Sequence, residues 1–524
     1  MGQDSQIFEE SLEFLYKTKD DWLKKFSGND TINIPRGKKR IIVVDGPGIL
    51  QYRNWFAPTE KYKSEHIYAQ SVEDLCEVVT KRMEYLMGME NVTGLLLLMD
   101  KNPPATKLAK SDRRNNNTPI TPLQLVKGEN RTRLELGTRA WQAWFEANPF
   151  IAEDTTKNDA NGNPYYNWKL PDSRPNKEQI KNGYNGQGPF YEDYLRNKDF
   201  KRLLYSLICR GVHRRISTDP ARKQFVVVQC TDYIKVKKSD GTSALVSEEL
   251  NLDYGEVDTS IGYWIEHFNS RGFDVICESD DGDVPLCALL ASDQRIVGPR
   301  DNILSVAFTG SAYVVQCRWR KSVTRVFDIN AYWRSIHLTF GALAQYHNVH
   351  IANCIGTYTL LSMLGGTDYV RSFPGARVKT VLTAFFQFFP DILANGPLVG
   401  NHWQDPQGFE IYYDTYERLV MAIYTKVRGN SVKFDFDDPE TSLNKLVDSR
   451  TDLDIERIRT TYANALYCIR YFVQSAYRMP MLDGFLEIDG QSVYGFVMTN
   501  PELDNQGQPS VHFAKDARRG ESCF

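Results

Sequence analysis

Two apolar runs that each end in an aspartate constrain the fold of this chain more than any other feature of its sequence. The runs are Arg40-Ile-Ile-Val-Val-Asp45 and Thr93-Gly-Leu-Leu-Leu-Leu-Met-Asp100. Neither run alternates apolar and polar residues, which is typical of strands that are buried on both faces of a parallel sheet. The hydrophobic share of 42% is ordinary for a globular protein with a sizeable core. The sequence therefore predicts an α/β protein with a mostly parallel central sheet flanked by helices.

The same pattern, an apolar strand followed by an acid, recurs three times farther along the chain. The predicted strands and their acids are Gln224–Cys230 with Asp232, Phe273–Cys277 with the acids of 278–283, and Gln294–Gly298 with Asp301. Helical spacing separates the strands, most clearly at 71–89, 260–270 and 284–292. Because the functional crevice of an open α/β sheet lies outside the carboxyl ends of its strands, we expect these acids to gather at one end of the sheet.

Carboxylates that gather at one place repel one another and favour bound cations. Their oxygens are hard ligands that suit Mg²⁺ or Mn²⁺, and two such ions can clamp the attacking and leaving oxygens of a phosphoryl displacement. An aspartate after a strand is also a common turn residue or helix N-cap, so each acid taken alone has a structural interpretation. The strand-end acids taken together favour a metal-dependent site.

Four blocks of sequence occur in the order in which they stand in one family of nucleases. The blocks are Val44-Asp45-Gly46, Asp100-Lys-Asn-Pro-Pro-Ala-Thr-Lys107 with its Leu-Ala-Lys continuation, Arg271–Leu290, and Gly366-Thr-Asp-Tyr369 followed by Phe373-Pro-Gly-Ala-Arg377. They resemble the flap-endonuclease and XPG-like 5′ nucleases, which belong to the PIN-like superfamily. The resemblance covers about residues 35–395, with one large gap, and implies a divergent member with a helix–three-turn–helix at about 352–395.

The resemblance also implies which residues hold two Mg²⁺ or Mn²⁺ ions. By position, the ligands are Asp45, Asp100, Asp281, Asp283, Asp301 and Asp368, and Lys107 acts beside the catalytic acids at the mouth of the site. A second alignment of the segment 271–290 uses Glu278, Asp280 and Asp281 instead. The family has two acids on the strand where this chain has only Asp301, so the expected site is one acid short.

Basic residues close to the second acid resemble those with which the family holds nucleic acid. The implied contacts are Lys107, Lys110, Arg113 and Arg114, with Arg377 and Lys379 in the helix–three-turn–helix. A second basic cluster at 196–223 is a candidate extension of this surface. A run of charges is also typical of a solvated loop, and the net charge of −3 does not by itself indicate a nucleic-acid partner.

The resemblance implies a structure-selective 5′ nuclease of the flap endonuclease or exonuclease type, which hydrolyses DNA phosphodiester bonds in repair or replication. Two alternatives stay open. One is a nuclease-fold protein that has lost a metal and acts as a nucleic-acid-binding or scaffolding subunit, and the other is a PIN-like ribonuclease. Few features of the sequence separate DNA from RNA as the substrate.

The sequence divides into three regions. Residues 1–395 form the predicted catalytic domain, with an insertion at about 115–222 that the resemblance implies is an expanded arch or cap region. Residues 396–500 are expected to be mainly helical, and 501–524 form a polar tail that we expect to be flexible. Near the N-terminus, the spacing of apolar residues predicts an amphipathic helix over Ile7–Phe26.

The cysteines and the length of the apolar runs indicate where in a cell the protein is expected. The nine cysteines include no Cys-x-x-Cys pair, which favours reduced thiols inside a cell over a disulfide framework. The longest apolar runs fall short of the roughly 20 residues that a membrane span needs, so we expect no membrane partner. The resemblance implies the nucleus or a viral replication site, and no sliding-clamp peptide is recognisable near the end of the sequence.

Overall fold

The computed structural model describes most of the central part of the chain. The described residues are 23–27, 34–52 except 36, 71–101, 170, 181–183, 191–195, 198–239 except 232, 256–293, 296–297, 302–318, 323–367, 370, 372–400, 412–427 and 433–477, with short strands at 485–488, 491–494, 502–503 and 509–510.

An eight-stranded mixed sheet forms the centre of the fold, as expected for an α/β protein. In chain order its first six strands are β1 (Leu23–Ser27), β2 (Arg40–Asp45), β3 (Val92–Leu98), β4 (Phe225–Cys230), β5 (Tyr233–Lys238) and β6 (Asp274–Glu278). Two short strands, β7 (Ile296–Val297) and β8 (Ala307–Phe308), come next and pair only with each other. The last two strands of the large sheet are β9 (Ala312–Arg318) and β10 (Val323–Asp328). The order across the sheet is β1-β10-β9-β6-β2-β3-β4-β5. The five strands from β9 to β4 are parallel, and antiparallel strands close both edges.

Helices cover both faces of the sheet. In chain order they are α1 (Gly46–Tyr52), α2 (Val72–Met87), α3 (Tyr191–Tyr194), α4 (Lys198–Arg215), α5 (Val257–Asn269), α6 (Val284–Ser292), α7 (Ile329–His347), α8 (Cys354–Leu364), α9 (Val378–Gln387), α10 (Phe389–Ile392), α11 (Tyr413–Lys426), α12 (Pro439–Asp448) and α13 (Ile455–Tyr477). Along β2, Ile42 and Val44 pack towards α2 and α4, whereas Ile41 and Val43 pack towards α5 and α6. This two-sided burial explains the unbroken apolar runs of the central strands.

The C-terminal helices share one hydrophobic core with the helices on the α5 face of the sheet. Helix α13 packs along α5 and also contacts α6 and α8, while α11 packs on α9 and α12. The ring of Tyr416 on α11 stacks on that of Tyr462 on α13, with ring centroids 4.1 Å apart. Two short hairpins, β11 (Phe485–Ile488) with β12 (Gln491–Tyr494) and β13 (Glu502–Leu503) with β14 (Pro509–Ser510), follow these helices.

Two predictions of local structure are wrong. The end of the helix predicted over Ile7–Phe26 is the edge strand β1, in which Leu23 packs on the α5 side and Phe26 on the α4 side; the part before residue 23 lies outside the described residues. Of the strand predicted at Gln294–Gly298, the described residues form β7, which pairs with β8 outside the main sheet. The place beside β6 is taken by β9, so the strand that precedes Asp301 does not belong to the sheet.

No helix in the described part of the chain is both long enough and apolar enough to cross a membrane.

A buried ion pair ties the end of β6 to α2. The guanidinium of Arg82 donates to both carboxylate oxygens of Glu278, with Nε to Oε1 at 2.8 Å and Nη2 to Oε2 at 2.7 Å. The two side chains are only 2% and 4% exposed. A bidentate pair of this kind has strong geometric specificity, and the loss of either partner leaves an uncompensated charge in the core.

We therefore expect Arg82→Met to lower the free energy of unfolding by about 3–5 kcal/mol, because Glu278 would stay buried without its cation. The double variant Arg82→Met with Glu278→Met should recover most of that loss, since neither charge remains. Urea denaturation measures both. Lys81→Met is the matched control, because Lys81 pairs with Glu77 on the exposed face of the same helix, and its cost should stay within about 0.5 kcal/mol. An equal loss in the single and the double variant would contradict this account.

Candidate acidic site at the carboxyl ends of the strands

Three neighbouring parallel strands deliver aspartates to the same end of the sheet. Asp45 is the last residue of β2, Asp100 follows β3 by two residues, and Asp281 follows β6 by three. Since β2 lies between β3 and β6, Asp45 is the central acid of the three. The predicted gathering of acids at the carboxyl ends of the strands is therefore present for these residues.

A buried hydroxyl joins two of these acids. Ser279 Oγ donates to Asp45 Oδ2 at 2.7 Å and accepts from the backbone N–H of Asp281 at 3.1 Å. Asp281 Oδ1 in turn accepts from the backbone N–H of Asp283 at 3.0 Å, and Gln316 Nε2 donates to the Asp281 carbonyl at 2.9 Å. Ser279 therefore fixes the carboxylate of Asp45 relative to the turn that carries Asp281.

Two acids that the sequence patterns did not reveal, Glu256 and Asp258, lie at the start of α5. Both are buried, each with 5% exposure, and the backbone N–H of Val257 between them donates to Asp100 Oδ1 at 3.1 Å. The N-terminus of a helix favours a negative charge, so this contact stabilises the ionised Asp100. One pattern in the sequence could have revealed them: an acid stands on each side of Val257, just before the apolar residues of α5 that begin at Ile261.

The acids interact strongly through their charges. Burial raises the pKa of Asp45 well above its ordinary value, and the charges of Asp100, Asp258 and Asp281 raise it further, while the hydrogen bond from Ser279 lowers it. Burial and the nearby charges of Asp100 and Asp45 also raise the pKa of Tyr205, which reaches the site from α4. The charge of Asp45 is therefore unfavourable in the folded protein unless a cation accompanies it.

The donor set suits a hard cation, although the described side chains do not enclose one. Within the described ranges, no three His, Cys, Asp or Glu side chains are grouped as the ligands of a metal ion. Mg²⁺ keeps several waters and is usually bound by one or two carboxylates together with substrate phosphates, so it does not require a closed group. The four interacting aspartates offer only oxygen donors, and a divalent cation would relieve the repulsion between them.

Two other predicted acids of the 278–283 segment, Glu278 and Asp283, interact with other parts of the core. Glu278 faces α2, where Arg82 binds both of its oxygens. Asp283 is buried at the start of α6 and lies close to Cys468 on α13. Burial raises the pKa of the Cys468 thiol, and the charge of Asp283 raises it further. Asp280 is half-buried between them. Of this segment, Asp281 is thus the acid whose charge acts on Asp45.

Several predicted residues lie outside the described part of the chain. These are Asp301, Asp368, Lys107, Lys110, Arg113 and Arg114. Their roles stay predictions.

A helical hairpin contains the two remaining predicted contacts. Helices α8 and α9 are joined through Gly366 and Gly375, which have φ values of +102° and +78° that favour glycine. Arg377 is the N-cap residue of α9 and Lys379 lies in its first turn, and both are exposed. The exposed start of a helix next to two cations is suited to an anion.

No protein-family model matches the chain, and a search of curated proteins returns no match.

The repulsion at Asp45 predicts how stability depends on pH in the metal-free protein. Since the folded protein binds the Asp45 proton more tightly than the unfolded chain does, stability from this group is complete below its unfolded pKa and is lost as pH rises through the raised folded pKa. The variant Asp45→Asn never acquires the charge. In EDTA, we expect Asp45→Asn to melt at a higher temperature than the wild type at about pH 8, and the difference to vanish near about pH 4.

Thermal unfolding across this pH range is the measurement, with the exposed Asp437→Asn as control. Its difference from the wild type should be small at every pH. A wild type that equals or exceeds Asp45→Asn in stability at the upper end of the range would refute the proposed repulsion.

Proposed function

We propose that this protein is a metal-dependent nuclease that hydrolyses phosphodiester bonds at the acidic site. The observation that carries the proposal is the position of Asp45, which is half-buried at the centre of three strand ends and is surrounded by the charges of Asp100, Asp258 and Asp281. Acids that repel one another at the functional end of an α/β sheet lower stability, and a role in binding cations and phosphate gives a reason for them.

Each residue of the site has a role in this proposal. Asp45 and Asp100 are the residues expected to hold a divalent cation, with Asp258 and Asp281 beside them. Ser279 orients the Asp45 carboxylate, and the N–H of Val257 orients that of Asp100. Two Mg²⁺ or Mn²⁺ ions would supply charge stabilisation to the attacking and leaving oxygens of the phosphodiester. Tyr205 is buried close to Asp100 and Asp45, and electrostatic interactions are stronger beside such buried groups than in bulk water.

The finer proposal is a PIN-like 5′ nuclease of the flap endonuclease type that acts on DNA, as the sequence blocks imply. The α8–α9 hairpin, with Arg377 and Lys379, then holds the duplex through its phosphates. Asp368 and Lys107 complete the set of residues that this proposal requires. A PIN-like ribonuclease uses the same chemistry and differs only in the strand that it accepts.

A second candidate is a nuclease-fold subunit that binds nucleic acid without cutting it. The contacts of Glu278 favour this candidate, because Arg82 takes both oxygens of an acid that the second alignment makes a metal ligand.

One assay separates the candidates. The full chain is incubated with labelled 5′-flap, nicked and single-stranded DNA and with RNA, in Mg²⁺, Mn²⁺ or EDTA. The wild type should cleave only with a metal, and Asp100→Ala and Asp258→Ala should each lose on the order of 100-fold or more in rate, because each removes a charge from the site. Asp437→Asn, an exposed acid far along the chain, should cut like the wild type.

The outcomes are distinct. No metal-dependent cleavage of any substrate, with binding retained, would replace the nuclease by the binding subunit. Full activity in Asp258→Ala would show that the acids at the start of α5 do not belong to the site.

A further inference from the structure

An exposed row of arginines follows one face of α4. Arg202, Arg210 and Arg214 recur at multiples of four residues, which places them on one side of the helix, and Ser206 fills the remaining position. We call these three residues the arginine stripe. Arg202 and Arg210 are exposed and Arg214 is half-exposed. Arg210 Nε donates to Ser206 Oγ at 3.4 Å, and Arg214 Nε donates to the Arg210 carbonyl at 3.3 Å.

The neighbouring edge strand adds to the positive charge. Helix α4 has six Lys or Arg residues and one acid, and β5 has three lysines and no acid. The guanidinium of Arg210 lies over the ring of Tyr233, 4.7 Å from its centre, and Lys235 is exposed. Burial and the charges of Lys237, Lys235 and Arg214 lower the pKa of His213. This concentration of cations stands out in a chain whose net charge is −3.

Neither helix capping nor edge protection explains the whole pattern. Lysines on an edge strand oppose unwanted pairing, which accounts for β5. Cations in the last turn of a helix are favoured by its dipole, which accounts for Arg214 and Arg215. The same dipole disfavours the cation Lys201 in the first turn of α4, immediately before Arg202.

The basic face starts at the same end of the sheet as the acids. Tyr205, on the buried side of α4, is close enough to Asp100 and Asp45 for their charges to act on its hydroxyl. In the sheet, Asp45 pairs with Leu98, Leu98 with Gln229, and Gln229 with Ile234. The first residues of β5 are therefore level with Asp45, roughly 14 Å away across three strand spacings.

We infer that the arginine stripe binds the phosphodiester backbone of the nucleic-acid strand that leads to the acidic site. The inference rests on the proposed function, because it takes the acids as the place of cleavage. From Arg202 to Arg214 the helix rises about 18 Å, which matches about five nucleotides at the spacing of one strand of a duplex. Guanidinium groups suit this role because they bind phosphate in a bidentate manner, and contacts to phosphate do not require a particular base sequence.

Binding in EDTA tests the inference separately from cleavage. Fluorescence anisotropy with a labelled single strand of DNA or RNA, about 20 nucleotides long so that it spans both the stripe and the acids, gives the affinity at several salt concentrations. The triple variant Arg202→Gln, Arg210→Gln, Arg214→Gln should reduce the slope of log affinity against log salt by about 2, since each lost contact to a single strand contributes about 0.7. At about 0.1 M salt this corresponds to a loss on the order of 100-fold.

Two further variants guard against trivial explanations. The control Lys24→Gln, Lys25→Gln, Lys445→Gln changes the net charge equally, at exposed positions on β1, the opposite edge strand, and on α12, and should leave the slope unchanged. The single variant Arg202→Gln should lower the slope by about 0.7, and circular dichroism and thermal melting should match the wild type. An equal fall in slope in the stripe variant and the control would overturn the inference, as would an unchanged slope in the stripe variant.

A competitor identifies the partner. Poly-glutamate at the same charge concentration should displace the oligonucleotide far less effectively than unlabelled single strand does; equal displacement would overturn the assignment to nucleic acid in favour of an acidic protein segment. Stripe-dependent binding without metal-dependent cleavage supports the stripe and refutes the proposed nuclease. Cleavage by the wild type with no effect of the stripe on affinity or salt slope refutes the stripe alone.

Discussion

The mutual repulsion of carboxylates around Asp45 is the interaction on which the arrangement of this protein depends. Burial makes the ionised form of Asp45 unfavourable, and the charges of Asp100, Asp258 and Asp281 make it more so. Three parallel strands and the start of α5 hold these groups together, so the repulsion cannot be relieved by a local movement of one loop. In the described part of the chain, the hydroxyl of Ser279 and the N–H of Val257 each donate to one of these carboxylates and so oppose the repulsion. A site built in this way has lower energy when a cation is bound, which is the physical basis of the proposed metal dependence.

Strand alternation decides which acid of the 278–281 segment takes part. Consecutive residues of a strand point to opposite faces, so Glu278 turns to α2 while Ser279 turns to Asp45. A shift of one residue in the register of β6 would exchange these two side chains. The bidentate contact with Arg82 opposes such a shift, because it would leave a guanidinium buried without its anion. The ion pair thus neutralises one acid and fixes the register that delivers Asp281 to the other side.

The strands of the centre could be predicted from the sequence because burial on both faces leaves an unbroken apolar run. This holds for β2, β3, β4 and β6, and it brought Asp45, Asp100 and Asp281 into the predicted site. The edge strand β1 could not be predicted in this way, because Leu23 and Phe26 are three residues apart and suit one face of a helix as well as the two faces of a strand. Asp301 was placed on the sheet through an apolar segment that in fact pairs with β8, and nothing in its local sequence indicates that β9 occupies the position beside β6. Glu256 and Asp258 could not be recognised because acids at the start of a helix usually serve as caps. Here the start of α5 lies against the carboxyl end of the sheet, where Val257 N–H donates to Asp100.

The position of α5 also gives the C-terminal helices a role that their sequence does not suggest. Helix α5 contacts the sheet at β6 and β2, but it packs more extensively on α13 than on either strand. Trp264 and Phe268 of α5 are completely buried in the core that Ile458 and Ile469 of α13 share. Because the first turn of α5 both carries Asp258 and donates to Asp100, a change in the packing of α13 would move an acid and a hydrogen-bond donor of the site together. The acidic site is therefore a property of the whole described core rather than of the strands that supply its central aspartates.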